Sequence, residues 1–270
     1  MHKKQILPIL ALGGWLIASP LVLRADDHPH QGDFDDDDGA GSDWSVTVGA
    51  LAMVEPVSPG IGKYKVEPLP YIDITYRGRY YLSAERGLGA TLVREGGFTF
   101  DLALNYEFGR DESDARKELR GMGDIDSSAL ATATLGYALG RYEFALRTEK
   151  ALGGAEGWRA RLSVERGWAL GGGLRLETSP YLIYGDGKTM RAYYGVDAVQ
   201  SLRSGRPQYR PGAGLERCGL ELTLTRELGR GWAVAAMADY GVLLGDARRS
   251  KLTTEDSQLM EAGLVLMYRF

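Results

Sequence analysis

Side chains capable of chemistry are distributed very unevenly along these 270 residues. The three histidines, His2, His28 and His30, all fall near the start. A nucleophilic Ser needs a base beside it, and that base is usually an imidazole. Residues 44–270 hold none, which excludes phospholipase-, acyltransferase- and Asp–His protease-type chemistry there, together with imidazole-ligated transition metals. His28-Pro29-His30 stands beside the run Asp33-Phe34-Asp35-Asp36-Asp37-Asp38, where at most weak metal contacts are available; the spacing departs from the twelve-residue calcium loop with its terminal Glu. Cys218 is the single cysteine, so neither an intrachain disulfide nor a thiolate cluster can form. Gly121-Met122-Gly123-Asp124 and Gly185-Asp186-Gly187 are glycine turns without the Gly-Lys-Ser/Thr of a phosphate loop. No cofactor and no metal centre is expected.

Carboxylates are the remaining candidates, because a pair of them suffices for glycosidase chemistry. Asp101, Glu107, Glu143, Glu149, Glu165, Glu177, Glu221, Asp239 and Glu261 recur on one face of alternating runs, and Arg147, Arg159, Arg161, Arg175 and Arg269 share that face. Opposite charges interleaved in this way are better read as pairs across strands that fill a narrow polar interior. The chain is therefore expected to be no enzyme. Arg110, Asp111, Gly121, Gly123 and Asp124 flank one connecting segment and are expected to order it by ion pairing.

The elements that would carry these charges alternate with period two. Phe98, Phe100, Leu102, Leu104, Tyr106 and Phe108 oppose Thr99, Asp101, Ala103, Asn105 and Glu107. Tyr142, Phe144 and Leu146 oppose Glu143, Arg147 and Glu149, and Leu220, Leu222 and Leu224 oppose Glu221, Thr223 and Thr225. The last run sets Met260, Ala262, Leu264, Leu266, Tyr268 and Phe270 on one face, with Glu261 and Arg269 on the other. Such strands have one apolar and one polar face. A soluble sandwich would bury the apolar face between two sheets, whereas a membrane barrel turns it to lipid.

Three features favour the barrel. Many runs approach the 9–11 residues of a tilted transmembrane strand. Aromatics gather near strand ends, at Tyr76, Tyr80, Tyr81, Phe98, Phe108, Tyr142, Trp158, Trp168, Trp232, Tyr240 and Tyr268, as an interfacial girdle requires. An export signal opens the chain: Lys3 and Lys4 precede the apolar stretch Ile6 to Leu23, with Ala25 as the cleavage position; the rival reading is an uncleaved anchor. Residues 1–25 are thus expected to be a signal peptide and residues 26–43 an acidic periplasmic spacer. The three cations of the first segment and the eight aspartates of the second account for −5 of the overall charge of −4, which leaves +1 for residues 44–270. A body so nearly neutral offers no footprint for nucleic acid.

Turn lengths sharpen the expectation. Tight glycine-bearing links (Arg77-Gly78, Gly96-Gly97, Gly140-Arg141, Gly171-Gly172-Gly173, Gly229-Arg230-Gly231) alternate with longer polar links at 55–65, 109–125, 152–157, 186–210 and 245–257. Short turns on one side and long loops on the other are the outer-membrane pattern. The count closes at twelve strands, near 44–54, 66–76, 79–84, 88–95, 98–108, 126–139, 141–151, 158–170, 173–185, 212–228, 231–244 and 258–270. The expected fold is all-β: a transmembrane, antiparallel, up-and-down barrel over 44–270, in contact with outer-membrane lipid. Residues 190–200 read as either a further strand or part of a long loop.

Short motifs along residues 44–270 then point to a family. Pro68-Leu69-Pro70-Tyr71-Ile72, Gly109-Arg110-Asp111-Glu112, Leu119-Arg120-Gly121-Met122-Gly123-Asp124-Ile125-Asp126, Tyr193-Tyr194-Gly195-Val196, Gly212-Ala213-Gly214 and Leu243-Leu244-Gly245-Asp246-Ala247 occur in this order before the closing Tyr268-Arg269-Phe270. Together they resemble the MipA/OmpV family of outer-membrane proteins. Two departures stand out. Val57-Ser58-Pro59-Gly60 lacks the family's loop tyrosine, and Gly153-Gly154-Ala155-Glu156-Gly157 lacks its loop histidine. The ending with Tyr268 and Phe270 resembles the signal read by the barrel-assembly machinery. The resemblance implies a scaffold that brings a lytic transglycosylase and a murein synthase together. The alternatives are a small-solute channel with a charged lumen, or an adhesin built on the outer loops.

Overall fold

The computed structural model describes residues 43–253 and 257–270; the expectations placed on residues 1–42 lie outside this range. Twelve antiparallel strands close into a barrel in simple up-and-down order. They are β1 (Trp44–Pro56), β2 (Tyr64–Tyr76), β3 (Tyr80–Ser83), β4 (Gly87–Glu95), β5 (Phe98–Glu107), β6 (Ser128–Leu139), β7 (Tyr142–Ala151), β8 (Trp158–Gly171), β9 (Leu174–Gly185), β10 (Gly214–Gly229), β11 (Trp232–Leu243) and β12 (Gln258–Arg269). β1 closes the ring against β12, from Thr47 opposite Arg269 to Val54 opposite Ala262. Closure gives every strand a neighbour on both sides, although the short β3 pairs only Asp73–Tyr76 of β2.

Exposure along β12 shows which face meets lipid. Leu264 and Leu266 are 61% and 46% exposed, while Val265 between them is 1% exposed. The greasy positions picked out by alternation therefore point outward. The tight links work as glycine permits: Gly96 and Gly97 both have positive φ (57° and 82°), the requirement of a two-residue hairpin whose twist matches its strands. By the same length rule, the short turns define the periplasmic side and the long loops the outer side.

Residues 186–210 are neither strand nor plain loop. They form two helices, α1 (Gly187–Tyr194) and α2 (Ala198–Ser204), and a third, α3 (Gly245–Arg249), follows β11. Asp186 and Asp197 accept hydrogen bonds from the amides of Thr189 and Gln200, and so cap α1 and α2. No helix among the described residues is long and apolar enough to cross a membrane.

One aromatic departs from the expected girdle. Tyr81 faces inward, 5% exposed, with the Arg86 guanidinium 4.0 Å from its ring centre. In β3 it pairs with Thr75 and Gly89, both inward-facing positions.

Candidate functional site

The interior of the barrel is the candidate site, and its walls decide what it can hold. At mid-height the guanidinium of Arg217 lies 3.4 Å from Glu261 Oε1 and 3.9 Å from Asp239 Oδ1. The Tyr181 hydroxyl donates to Asp239 Oδ1 at 2.9 Å. Arg161 stacks over the Tyr181 ring and pairs with Glu221 Oε2 at 2.7 Å. These charges come from β8, β10, β11 and β12 and are almost fully buried. Burying ions costs several kcal/mol each unless partners surround them, so this cluster is held together by mutual compensation.

A second cluster lies just under the outer loops. Arg159 reaches Glu216 Oε2 at 3.1 Å and Glu107 Oε2 at 3.8 Å, linking β8 to β10 and to β5 across the interior. Tyr194 and Tyr193 of α1 donate to Glu216 Oε1 (2.9 Å) and Glu107 Oε2 (3.4 Å). Desolvation pushes the Tyr193 phenol up to about 12, so it remains a hydrogen-bond donor throughout the physiological range.

The other anticipated charges sit around these clusters. Arg147 pairs with Glu149 at 2.8 Å and Arg175 with Glu177 at 3.0 Å. Asp101 accepts from Thr91 Oγ1 at 2.6 Å. Glu165 is half-buried, and Glu143 is exposed near the periplasmic opening.

Three things were missed in the sequence. Arg217 was in phase with Glu221, and extending the alternation back through Cys218 would have found it. Glu216 could not be found in this way: a register shift between Leu215 and Arg217 turns two consecutive residues inward. The third concerns the interior itself, which is not polar throughout. Leu51, Met53, Tyr71, Ala233, Ala235, Met237, Val265 and Met267 form a buried apolar cluster inside the β11–β12–β1–β2 wall. Alternation hides such a patch, because both faces of those strands are then apolar.

The outer mouth is covered. Val57 and Ile61 from the β1–β2 loop pack with Ala115, Leu119 and Met122 from the β5–β6 loop, Val196 from the β9–β10 segment and Leu252 from the β11–β12 loop. Polar contacts tie the same segments together. Gln200 Nε2 donates to the Met122 carbonyl at 2.7 Å, Arg206 Nη2 to the Glu118 carbonyl at 2.6 Å, and Lys63 to the Asp114 carbonyl.

Within this cover, Arg110 Nη2 donates to the Gly123 carbonyl at 3.3 Å, and Asp124 Oδ1 accepts the Glu112 amide at 2.7 Å. Glu112 accepts the amides of Gly121 and Gly123 at 2.9 and 2.8 Å, and these backbone bonds hold its carboxyl below the usual range. Asp111 precedes the short 3-10 turn Glu112–Ala115. The loop is thus ordered by carboxylate-to-amide bonds centred on Glu112. At the chain end the Tyr268 ring lies between Trp232 (5.1 Å) and Phe270 (4.9 Å), and the Phe270 amide donates to the Val46 carbonyl.

A closed ring of twelve strands with a greasy exterior and an ionic interior is an outer-membrane β-barrel, and the protein resides in the outer membrane. More narrowly, the chain belongs to the family of the MltA-interacting protein MipA, whose family model matches residues 48–270. Solved structures that align with it include an outer membrane channel from Pseudomonas putida F1 (TM-score 0.43, 11% identity, 89% of this chain and 100% of that one). OmpT, an outer membrane protein of Vibrio cholerae, aligns with TM-score 0.37 and 9% identity over 85% of this chain and 98% of its own. OprD of Pseudomonas aeruginosa aligns with TM-score 0.37 and 11% identity over 82% and 65%. No curated protein matches the sequence.

Proposed function

We propose that this protein is a non-catalytic adapter that presents its periplasmic face to murein enzymes, a lytic transglycosylase and a murein synthase. The family name speaks of an interaction with MltA, and that is the source of the partner class. The observation that carries the reading is the covered outer mouth, where four loop segments share one apolar core. A solute pathway or a set of adaptable adhesive loops is poorly served by such a cover. The tight periplasmic turns and the acidic segment 26–43 remain as surfaces for partners. We further propose that Tyr268 and Phe270 serve as the assembly signal and the interior charges as structural ties.

Affinity capture from detergent-solubilised envelopes tests the adapter, using the full chain and a variant lacking residues 26–43. Recovery of murein hydrolase and synthase with the full chain is the expected result; recovery of neither overturns the reading. Loss on truncation alone assigns the docking to the acidic segment, and retention assigns it to the turns.

A further inference from the structure

The outside of the barrel is concave on one wall. Leu88, Leu104, Ala131, Lys150 and Trp158 stand side by side on consecutive strands from β4 to β8. One row nearer the periplasm, Leu102, Ala133 and Thr148 do the same. All of them occupy outward positions, in phase with the lipid-facing leucines of their strands. The two alanines on β6 are short where their neighbours are long, so the wall dips between a leucine bank on β5 and a Lys–Trp bank on β7 and β8. Two strand spacings separate the banks, roughly 10 Å. The resulting hollow has a volume of about 610 Å³ and a mostly apolar surface, with Thr132 and Glu149 of the wall also reaching its lining. Ligand sites span roughly 300–1,000 Å³. The Thr148 hydroxyl is turned into the wall, donating to the Ala133 carbonyl at 3.3 Å, so it adds no polar group to the slot.

The upper end of this slot carries charge. Lys150 is the next-to-last residue of β7 and lies at the outer membrane–water boundary, level with Trp158. Among the described strand residues it is the only outward-facing cation in the outer half of the wall; Arg166 and Arg226 lie towards the periplasmic ends of their strands. Its ammonium donates to the main-chain carbonyl of Glu156 at 2.5 Å and makes no direct ion pair; Asp186 feels its charge at longer range. Lys188 of α1 stands at the same loop, 3.2 Å from Glu156 Oε2, with its side chain 55% exposed. A cation above a greasy slot in the outer leaflet matches a molecule with an anionic head and an acyl chain.

We propose that this hollow is a binding site for a phosphorylated glycolipid of the outer leaflet, of the lipid A class. One acyl chain lies over Ala131 and Ala133, and Lys150 contacts a phosphate. The site faces away from the periplasm and does not depend on the adapter reading. It gives the barrel a preferred lipid at one wall, beneath the loops that cover its mouth.

Native mass spectrometry of the full chain released from detergent micelles tests this, with lipid A, dephosphorylated lipid A and phosphatidylglycerol as probes. Wild type retains lipid A above both other lipids. Lys150→Gln lowers lipid A retention about tenfold, to the level of the dephosphorylated form, the loss expected when a charge-assisted contact disappears. Ala131→Phe fills the slot and reduces lipid A and its dephosphorylated form alike, while Ala236→Phe on the outward face of β11 leaves retention unchanged. Heat-modified migration reports folding, and Ala133→Leu replaces Ala131→Phe if the latter does not fold. Equal retention of lipid A by wild type, Lys150→Gln and the slot-filled variant overturns the proposal, as does retention of phosphatidylglycerol equal to that of lipid A.

Discussion

At the scale of single residues, the interior arginines matter more for what they neutralise than for their own packing. Arg217 is 1% exposed, and the carboxylates facing it, Asp239 and Glu261, are 4% and 3% exposed. Removing the guanidinium leaves two buried anions facing each other, which in comparable sites costs about 3–5 kcal/mol. Arg217→Ala should therefore lower the urea midpoint of the barrel, read by heat-modified migration. Arg217→Met combined with Glu261→Gln and Asp239→Asn should recover most of the loss, because the charges leave together; no recovery would show that the guanidinium acts through packing. Glu112 shows the same logic at the surface. Its carboxyl lies below the usual range because it accepts the Gly121 and Gly123 amides. A depressed folded-state pKa contributes order that is present above the ordinary value of about 4.3 and is lost as the pH falls through the depressed value. Glu112→Gln should thus raise hydrogen exchange across residues 109–125 at neutral pH. In acid, wild type and variant should converge as the carboxyl is protonated; a difference that persists unchanged at the acid end of the titration would assign the protection to something other than this carboxylate.

At the scale of elements, glycine pairs make room for aromatic rings. Gly219 faces Gly241 on β11 and Tyr181 on β9, and the Tyr181 side chain lies over both glycines. A Cβ at Gly219 would stand 2.6 Å from Tyr181 Cζ and 2.6 Å from the Tyr240 carbonyl oxygen. Gly219→Val should therefore displace the ring, break the Tyr181–Asp239 bond and destabilise the barrel by about 1–3 kcal/mol. Tyr181→Ala should absorb part of that cost in a double-mutant cycle, and strict additivity of the two changes would argue against the contact.

The elements also show how far the sequence could be read. Period-two alternation was enough to place the strands and their outward face, since a one-residue slip would put charges into lipid. It failed where its assumptions failed. The inward extra residue at Glu216 breaks the phase, and the apolar inner patch around Met53, Met237 and Met267 leaves no polar face to detect. The helices of residues 186–210 are too short for a helical period to stand out, yet Asp197-Ala198-Val199-Gln200 is a visible capping box, with both reciprocal bonds present. Arg110 and Asp124 lie on one loop with Glu112, which ends the Gly109-Arg110-Asp111-Glu112 motif and is the residue that accepts the Gly121 and Gly123 amides.

At the scale of the whole molecule, two buried groups lie between the outer mouth and the periplasm, and whether each blocks the lumen can be tested. The first is the cover of outer loops, with Leu119, Tyr194 and Met190 fully buried inside it. The second lies deeper, where the Arg217 cluster and the apolar group of Met237, Val265 and Met267 fill the β9–β12 side of the interior. Apolar constrictions resist water as well as ions, since an ion passing them must shed its hydration. Wild type in planar bilayers should therefore carry no steady current. Replacing residues 187–204 with a short Gly-Ser linker should take one of the four segments out of the cover and still give little current if the deeper group blocks the lumen. Current should rise by an order of magnitude or more only when Met237→Ala and Met267→Ala are added to the linker variant, since loss of buried side chains leaves a void that water can enter once the mouth is open. Steady channels from the linker variant alone would mean that the deep cluster is no barrier and that the outer loops are the gate. Steady channels from wild type would go further, overturning the proposed adapter in favour of a pore.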